Sequence, residues 1–347
     1  MAFVGAPASL EEKLAGEAGV RFLAVRARGW DRARPWTLVA AAATAVASLF
    51  RCRAILASER ADAVVGFGGY VSVPLGLAAI VSGVPLVLHE QNSVPGVANR
   101  LLSRWAKAVC LTYENSRGHL GHAERAVVSG NPVRDAVIDA DRDAGRAAYG
   151  VSPNETLLLV FGGSRGARHL NTAIINLYNT LSVVEDLRVV HVAGPTEASA
   201  VREALRTQAG GDPAWWSVLE YVDAMGDLLA AADLVVCRSG ATTLAEVAAL
   251  GKATILVPYP YATDDHQTRN ADPFVEAGAS EVIADGDLDS PAFGELLAGL
   301  LADPARRARM AEAALSLGRP QAACAVVEVV RRVARGASVS SMGKGTR

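Results

Sequence analysis

Short apolar runs alternate with stretches of helical spacing along almost the whole chain. In the first half the apolar runs are residues 20–25, 63–67, 85–88, 108–112 and 126–128. Brief apolar runs bounded by turn residues are typical of buried strands, and apolar positions repeating every three to four residues are typical of the helices between them. The alternation therefore predicts a parallel sheet wrapped by helices.

The same alternation restarts in the second half of the chain. A strand over 156–161 is followed by a glycine-rich turn and a helix, and residues 137–150, which separate the halves, are polar and charged. A length of 347 residues with 51% hydrophobic content is enough for about two cores. We therefore predict an α/β protein of two doubly wound, Rossmann-like domains that face a cleft. The predicted boundaries are a first domain 1–136, a linker 137–150, a second domain 151–318 and a disordered tail 336–347.

The densest chemistry lies between Ala232 and Asn270. An apolar strand ends at a turn made of Arg238, Ser239 and Gly240, and a helix begins at Ala241. In a parallel sheet this carboxyl edge is where ligands bind, because the free N–H groups of helix N-termini attract anions. Ser239, Gly240 and Ala241 are predicted to offer such N–H groups.

Glu246 lies about two turns into that helix, where a carboxylate can accept hydrogen bonds from both hydroxyls of a ribose. The alternative interpretation is structural, with Ser239 capping the helix and Glu246 on a solvated face. The sequence leaves both open.

Polar turns follow successive strands in both halves. They are Gly68-Gly69, His89 to Asn92, Gly130 to Arg134, Gly162 to Ala167, and Cys237 to Gly240. The backbone of residues 162–167 with the Ser164 hydroxyl suits a pyrophosphate, and Arg134, Arg165 or Arg238 can add positive charge. Neither half contains G-x-G-x-x-G with a downstream acid, so a nucleoside diphosphate fits better than a dinucleotide. The amides of Gln267 and Asn270 suit a neutral sugar.

Composition narrows the class of protein. A net charge of -2 with 20% charged residues argues against a nucleic-acid partner. The four cysteines form no C-x-x-C pair, which fits a reducing cytosol and predicts no metal site. No apolar run reaches the roughly 18 residues of a membrane span. The segment Trp30–Ser58 mixes apolar side chains with arginines, so it is either an interfacial patch or an ordinary core helix with a wet basic face.

Five segments together resemble one known family, the bacterial cell-wall N-acetylglucosaminyltransferases of the MurG type. They are FGGYVSVP, HEQNSVPGVANR, GNPVR, FGGSRGARHLN and the stretch from CRSGATTLAEVAALGK through VPYP to DDHQTRNA. The resemblance runs in order from about Gly5 to Ala334. It implies a glycosyltransferase type B fold, with the helix 320–335 packing back on the first domain. It also implies inverting transfer of N-acetylglucosamine from UDP-N-acetylglucosamine to undecaprenyl-pyrophosphoryl-N-acetylmuramoyl-pentapeptide in peptidoglycan synthesis, with no cofactor and no metal.

The resemblance also assigns roles to individual residues. The implied donor-binding residues are Asn92, Arg134, Ser164, Arg238, Ser239, Gly240, Ala241, Glu246, His266 and Gln267. Among these, Glu246 would bind the ribose, and Asn92, His266 and Gln267 would address the sugar, although His266 departs from the glutamine more usual there. Gly68 and Gly69 would cradle the acceptor pyrophosphate.

The same resemblance places the protein at the cytoplasmic face of the cell membrane as a peripheral protein. The implied docking patch is Trp30, Trp36, Leu49 and Phe50. It faces an anionic membrane surface and the undecaprenyl-linked acceptor, and other cell-wall synthesis proteins are expected partners.

The start of the chain departs from the family, whose members begin with a strand and a GTGGH-like turn. The histidine of that turn is the favoured catalytic base, so the base is expected upstream of Met1 and the first domain is expected to lack its first strand. His89 and Glu90 are the only nearby motif residues that titrate in a suitable range. The alternatives are a catalytically inactive UDP-sugar-binding remnant and a UDP-sugar epimerase of the same fold.

Overall fold

The computed structural model describes residues 1–26, 36–163 and 167–339. The chain forms two compact units. The first contains residues from Met1 to Gly130 together with the C-terminal segment from Ala323, and the second contains Asn131–Ala322.

In its described residues the first unit has six strands, all in parallel pairs. Its strands are β1 (Ala2–Gly5), β2 (Arg21–Ala24), β3 (Val64–Gly66), β4 (Leu86–Glu90), β5 (Ala108–Leu111) and β6 (Ala126–Val128). Its helices are α1 (Leu10–Glu17), α2 (Thr37–Ser58), α3 (Gly69–Val81) and α4 (Val97–Leu102), with 3-10 turns at Glu114–His119 and Ala123–Arg125. β4 is buried at every position, because a parallel strand in mid-sheet is covered on both faces.

The strands of this unit form two sheets, β1-β2 and β3-β4-β5-β6. Val4 of β1 and Val64 of β3 pack in the same core, although β1 and β3 belong to different sheets. Among the described residues no strand pairs with both β1 and β3 to join the two sheets. The second unit has such a strand, since its β7 pairs with a neighbour on each side.

The strands described in the second unit form one six-stranded parallel sheet. Its strands are β7 (Thr156–Phe161), β8 (Leu187–Val192), β9 (Trp216–Leu219), β10 (Leu234–Cys237), β11 (Thr254–Leu256) and β12 (Ser280–Val282), in the order β12-β11-β10-β7-β8-β9. Its helices are α5 (Asp135–Ile138), α6 (Arg142–Ala148), α7 (Arg168–Asn176), α8 (Tyr178–Leu181), α9 (Ala198–Ala209), α10 (Met225–Ala231), α11 (Ala241–Ala249), α12 (His266–Glu276), α13 (Pro291–Ala302) and α14 (Pro304–Leu317). The order is that of a doubly wound sheet that reverses direction between β7 and β10, where ligands of such folds bind. The prediction of two Rossmann-like α/β domains is confirmed.

The stretch predicted as a linker, 137–150, is structured. Asp141 caps α6 by accepting from the N–H groups of Asp143 and Ala144. Arg146 is buried and donates to Asp233 and to backbone carbonyls of the second unit. The boundary between the units falls at Gly130 rather than at 136, because these polar residues pair with distant groups instead of with water.

The last helix, α15 (Ala322–Ala334), belongs to the first unit. Val326, Val329 and Val333 form one apolar face that packs against β4 to β6. Within the described residues, Pro304–Ala334 is the one stretch long and apolar enough to cross a membrane by composition. This stretch consists of two separate helices, α14 of the second unit and α15 of the first. The apolar face of α15 is buried against the protein. Of the predicted disordered tail, 336–347, the first four residues are described. Val339 is buried in the same apolar cluster as α15, so the prediction is wrong for residues 336–339, while residues from 340 onward lie outside the described residues.

Candidate functional site

Two turns at the carboxyl edge of the second sheet carry backbone N–H groups. The turn after β7 contains Gly163, whose φ of 92° is a conformation that favours glycine. Ser164, Arg165 and Gly166 lie outside the described residues, so the predicted role of Ser164 stays a prediction. The chain resumes at Ala167 and enters α7.

The second turn follows β10 and opens α11. Gly240 is the N-cap residue, and no side chain caps this helix. The first N–H groups of a helix have no partner within it, and together with the helix dipole they form a site for an anion. The Ser239 hydroxyl instead donates to the carbonyl of Gln267 at 2.8 Å. The alternative in which Ser239 caps the helix is therefore wrong, and the helix N-terminus is available to a ligand.

Glu246 is buried on α11, with a side chain only 8% exposed. Its Oε1 accepts from Nη2 of Arg134 at 3.1 Å. Within the part of the chain that the structure describes, its Oε2 has no hydrogen-bond partner. The alternative in which Glu246 lies on a solvated face is wrong, and the arrangement leaves one carboxylate oxygen to accept from a ligand hydroxyl.

Arg238 is used within the protein. Its Nη1 donates to the carbonyls of Val257 and Pro258 at 3.2 and 3.1 Å, its Nη2 pairs with Asp285, and its guanidinium lies 5.7 Å from the ring centre of Tyr259. With 9% of its surface exposed, Arg238 holds the ends of β10 and β11 together. The structure thus places it beside the turn that opens α11, with both terminal nitrogens, Nη1 and Nη2, in contact with other groups of the protein.

The loop before α12 is strained. Asp264 and Asp265 both have positive φ, 55° and 51°, which costs a non-glycine residue of order 1 kcal/mol or more. This conformation starts α12 at His266, whose Nδ1 donates to the carbonyl of Thr263 at 2.8 Å. The Oε1 of Gln267 accepts from the N–H of Tyr259 at 3.0 Å, which leaves its amide NH2 as the group that can donate. Nε2 of His266 and the amide NH2 of Gln267 are thus the polar groups that these two side chains can offer to a sugar.

The first unit has its own glycine turn after β3. Gly68 and Gly69 have φ of 84° and 74°, and α3 begins there. The Ser72 hydroxyl donates to the carbonyl of Gly68, and Gln91 Nε2 donates to the carbonyl of Phe67 at 3.2 Å. The turn is held from two sides, and its N–H groups open a helix, as an anion site requires.

Glu90, which is 1% exposed, organises the loop after β4. One carboxylate oxygen accepts from the backbone and amide of Asn92 at 3.0 and 3.4 Å, and the other accepts from Gly96 N–H at 3.0 Å and Asn99 Nδ2 at 2.8 Å. Four donors compensate one buried carboxylate. Glu90 therefore fixes Asn92 and closes the loop.

His89 is fully buried beside this loop. Burial lowers the pKa of its imidazole, partly offset by the hydrogen bond from Nε2 to the carbonyl of Gly130 at 3.0 Å and by the Glu90 charge. Since Nε2 must donate to that carbonyl, Nδ1 carries the lone pair, and it has no partner within the described residues. His89 and Glu90 are thus buried structural groups in this structure, and the catalytic base stays unassigned.

Part of the predicted docking patch is exposed. Trp36 is 69%, Val46 59% and Phe50 67% exposed, and their spacing places them along one face of α2. Leu49 is instead partly buried and packs against the core of the first unit. Trp30 lies outside the described residues.

Two residues near the donor-side turns were not predicted. Asp285, in the 3-10 turn Asp285–Asp287, pairs with Arg238, and His169 on α7 contacts Asp285 and Asp289. A sequence gives little signal for these partners, which lie more than a hundred residues from His169 along the chain. Within the described residues no group of three His, Cys, Asp or Glu side chains is arranged to hold a metal ion.

Two Rossmann-like units, with a helix N-terminus open to an anion and a free carboxylate oxygen at the sheet edge, fit the class of nucleotide-sugar enzymes with the glycosyltransferase type B fold. Family models for the glycosyltransferase family 28 N-terminal and C-terminal domains match residues 1–111 and 157–325. The chain is 38% identical over 331 residues to the UDP-N-acetylglucosamine--N-acetylmuramyl-(pentapeptide) pyrophosphoryl-undecaprenol N-acetylglucosamine transferase of Desulfitobacterium hafniense strain DSM 10664, covering 94% of this chain and 89% of that one. It is 39% identical to the enzyme of the same name from Burkholderia multivorans, covering 98% and 90%. The chain belongs to this MurG family of N-acetylglucosaminyltransferases.

Solved structures agree. Acinetobacter baumannii MurG superposes with a TM-score of 0.75 at 29% identity, over 95% of this chain and 90% of that one. A UDP-GlcNAc 2-epimerase from Neisseria meningitidis superposes with a TM-score of 0.65 at 14% identity, covering 95% and 90%, which shows a shared fold only. The epimerase alternative is therefore the weaker one, and the protein is a glycosyltransferase of peptidoglycan synthesis.

Proposed function

We propose that this protein transfers N-acetylglucosamine, with inversion, from UDP-N-acetylglucosamine to the lipid-linked N-acetylmuramoyl-pentapeptide. The observation that carries the proposal is the pairing, on one helix, of the open N-terminus of α11 with the buried Glu246, whose Oε2 is free to accept. A diphosphate needs the first group and a ribose needs the second. The family of the relatives supplies the sugar and the acceptor.

In the reaction, a hydroxyl oxygen of the acceptor bonds to the anomeric carbon while the bond from that carbon to the β-phosphate oxygen of UDP breaks. The hydroxyl proton passes to a base, and the electron pair leaves with UDP. Negative charge therefore grows on the phosphate, where the N-terminus of α11 stabilises it. Gln267 and His266 are assigned to the sugar hydroxyls, and Glu246 to the ribose. The roles of Asn92 at the sugar and of Gly68-Gly69 at the acceptor pyrophosphate stay predictions.

The protein is proposed to work at the cytoplasmic face of the membrane as a peripheral protein. Support comes from the exposed side chains Trp36, Val46 and Phe50 at and along α2, a helix that also carries the exposed arginines Arg51 and Arg53. Aromatic and basic side chains together suit the headgroup region of an anionic bilayer. A peripheral position at that surface would suit an enzyme whose acceptor is linked to a lipid.

The test is transfer of radiolabelled N-acetylglucosamine from its UDP donor to the lipid-linked acceptor, with UDP binding measured in parallel by calorimetry. The proposal expects both binding and transfer. UDP binding without transfer would indicate a donor-binding remnant, and release of the 2-epimer would indicate an epimerase. Either result would contradict the proposal.

A further inference from the structure

Asp285 lies between the two turns of the donor side. Its Oδ2 is 2.8 Å from Nδ1 of His169, the second residue of α7, and its Oδ1 is 2.5 Å from Nη2 of Arg238. The Asp285 side chain is 13% exposed. One carboxylate thus joins the helix that follows the β7 turn to the arginine of the β10 turn.

Arg238 extends this link to a third segment. Through Val257 and Pro258 it also holds the end of β11. The N-terminus of α7 and the N-terminus of α11 follow adjacent strands of the sheet, since β7 pairs with β10. The relative position of these two helix ends is therefore fixed by three side chains rather than by backbone pairing alone.

The geometry around His169 favours a charged imidazole. Its Nε2 lies 3.0 Å from Oδ2 of Asp289 while Nδ1 contacts Asp285. A neutral imidazole has one N–H and can donate to only one of the two carboxylates. The hydrogen bonds to Asp285 and then Asp289 raise the pKa of His169, although partial burial opposes them. The other charged groups described nearby are Arg238, which faces Asp285, and Arg168 on the same helix, which pairs with Glu197.

We propose that Asp285 and His169 are positioning residues of the nucleoside-diphosphate site, and that protonation of His169 sets the affinity for the diphosphate. This inference rests on the proposed donor role of the second unit. With His169 charged, both aspartates are held and α7 is fixed against the Arg238 turn. With His169 neutral, one contact is lost, and the two helix ends bind the diphosphate less well.

The test measures UDP binding to the full chain by calorimetry between pH 6 and 9. Affinity should fall as the pH rises through the raised pKa of His169. The variant Asp285→Asn keeps the side-chain shape and should weaken UDP binding about tenfold, of the order expected for a lost hydrogen bond to a charged group. The matched control Asp287→Asn makes the same change two residues away on an exposed side chain and should bind UDP like the wild type.

The second variant, His169→Gln, alters a partly exposed side chain, so it keeps the inference testable if Asp285→Asn does not fold. It should bind UDP with the affinity of the wild type at high pH and show no pH dependence from this group. A merely structural role would lower the thermal midpoint and leave the pH profile of binding unchanged. UDP affinity that is equal in wild type and Asp285→Asn, or a His169→Gln profile identical to wild type, overturns the inference while the proposed function stands. Absence of UDP binding by the wild type at every pH overturns both.

Discussion

The variant Glu246→Gln tests the ribose assignment most directly. The change keeps the size of a side chain that is 8% exposed, and the glutamine oxygen can still accept from Arg134. Because Arg134 is 66% exposed, the ion pair contributes only about 0–1 kcal/mol, so the fold should survive its weakening. What changes is the charge of the oxygen that faces the ligand.

The magnitude follows from the kind of hydrogen bond that is lost. A bond to a charged group contributes about 1.5–3 kcal/mol and a neutral one about 0.5–1.5 kcal/mol. The difference of about 1–1.5 kcal/mol should raise the Kd for UDP by about 5- to 13-fold. Removing the ribose 2′-hydroxyl from the ligand should then raise the Kd more in the wild type than in Glu246→Gln.

The assay is calorimetric titration of both proteins with UDP and with 2′-deoxy-UDP. The wild type should prefer UDP clearly, and the preference should shrink in Glu246→Gln, since the hydroxyl and the carboxylate act on each other. Glu281→Gln is the matched control, because Glu281 on β12 also pairs with an arginine, Arg306. A preference for UDP that is the same in wild type and Glu246→Gln would refute the ribose assignment.

Three further changes test other parts of the molecule. In Glu90→Gln the new amide NH2 faces N–H donors of Asn92, or of Gly96 and Asn99, that the carboxylate accepted from. The free energy of unfolding in urea should therefore fall by about 1–3 kcal/mol. The exposed Glu114→Gln should change it hardly at all, and equal losses in the two variants would contradict the role of Glu90. Lys252 is buried, and desolvation followed by repulsion from Arg142 lowers its pKa from 10.5 to about 8. Below that pKa the buried charge destabilises the native state. The free energy of unfolding of the wild type, relative to that of Lys252→Met, should therefore rise by up to about 3 kcal/mol between pH 8 and above pH 10. If urea unfolding shows the same difference between the two proteins at every pH, this prediction is contradicted. Phe50→Asp should reduce flotation with anionic vesicles about tenfold or more, because burying a Phe side chain in the bilayer contributes about 1.5–3 kcal/mol. The control Val183→Asp, at a 78% exposed position of the second unit, should leave flotation unchanged. Equal flotation of the two variants would argue against docking by α2.

The order of strands, turns and helices was predictable because each buried strand is a short apolar run that ends at a polar turn. The run 126–128 was predicted as a strand and is β6, and the helix predicted to end near Val81 ends there. The linker was not predictable in this way. The residues of α6 are polar, and their burial depends on Asp233, which accepts from Arg142 and Arg146 some ninety residues away.

The candidate site shows the same division between local and distant information. The turn after β10 and the position of Glu246 follow from local pattern, because a strand, a tight turn and a helix place a carboxylate two turns in. The role of Arg238 does not, since an arginine in a glycine-containing turn suits a phosphate equally well whether its donors are free or engaged. Its carbonyl partners lie at the end of the next strand, and its carboxylate partner follows β12. Only the folded sheet brings these groups together, and through them Arg238 helps to fix the shape of the site, while its predicted role toward the ligand stays a prediction.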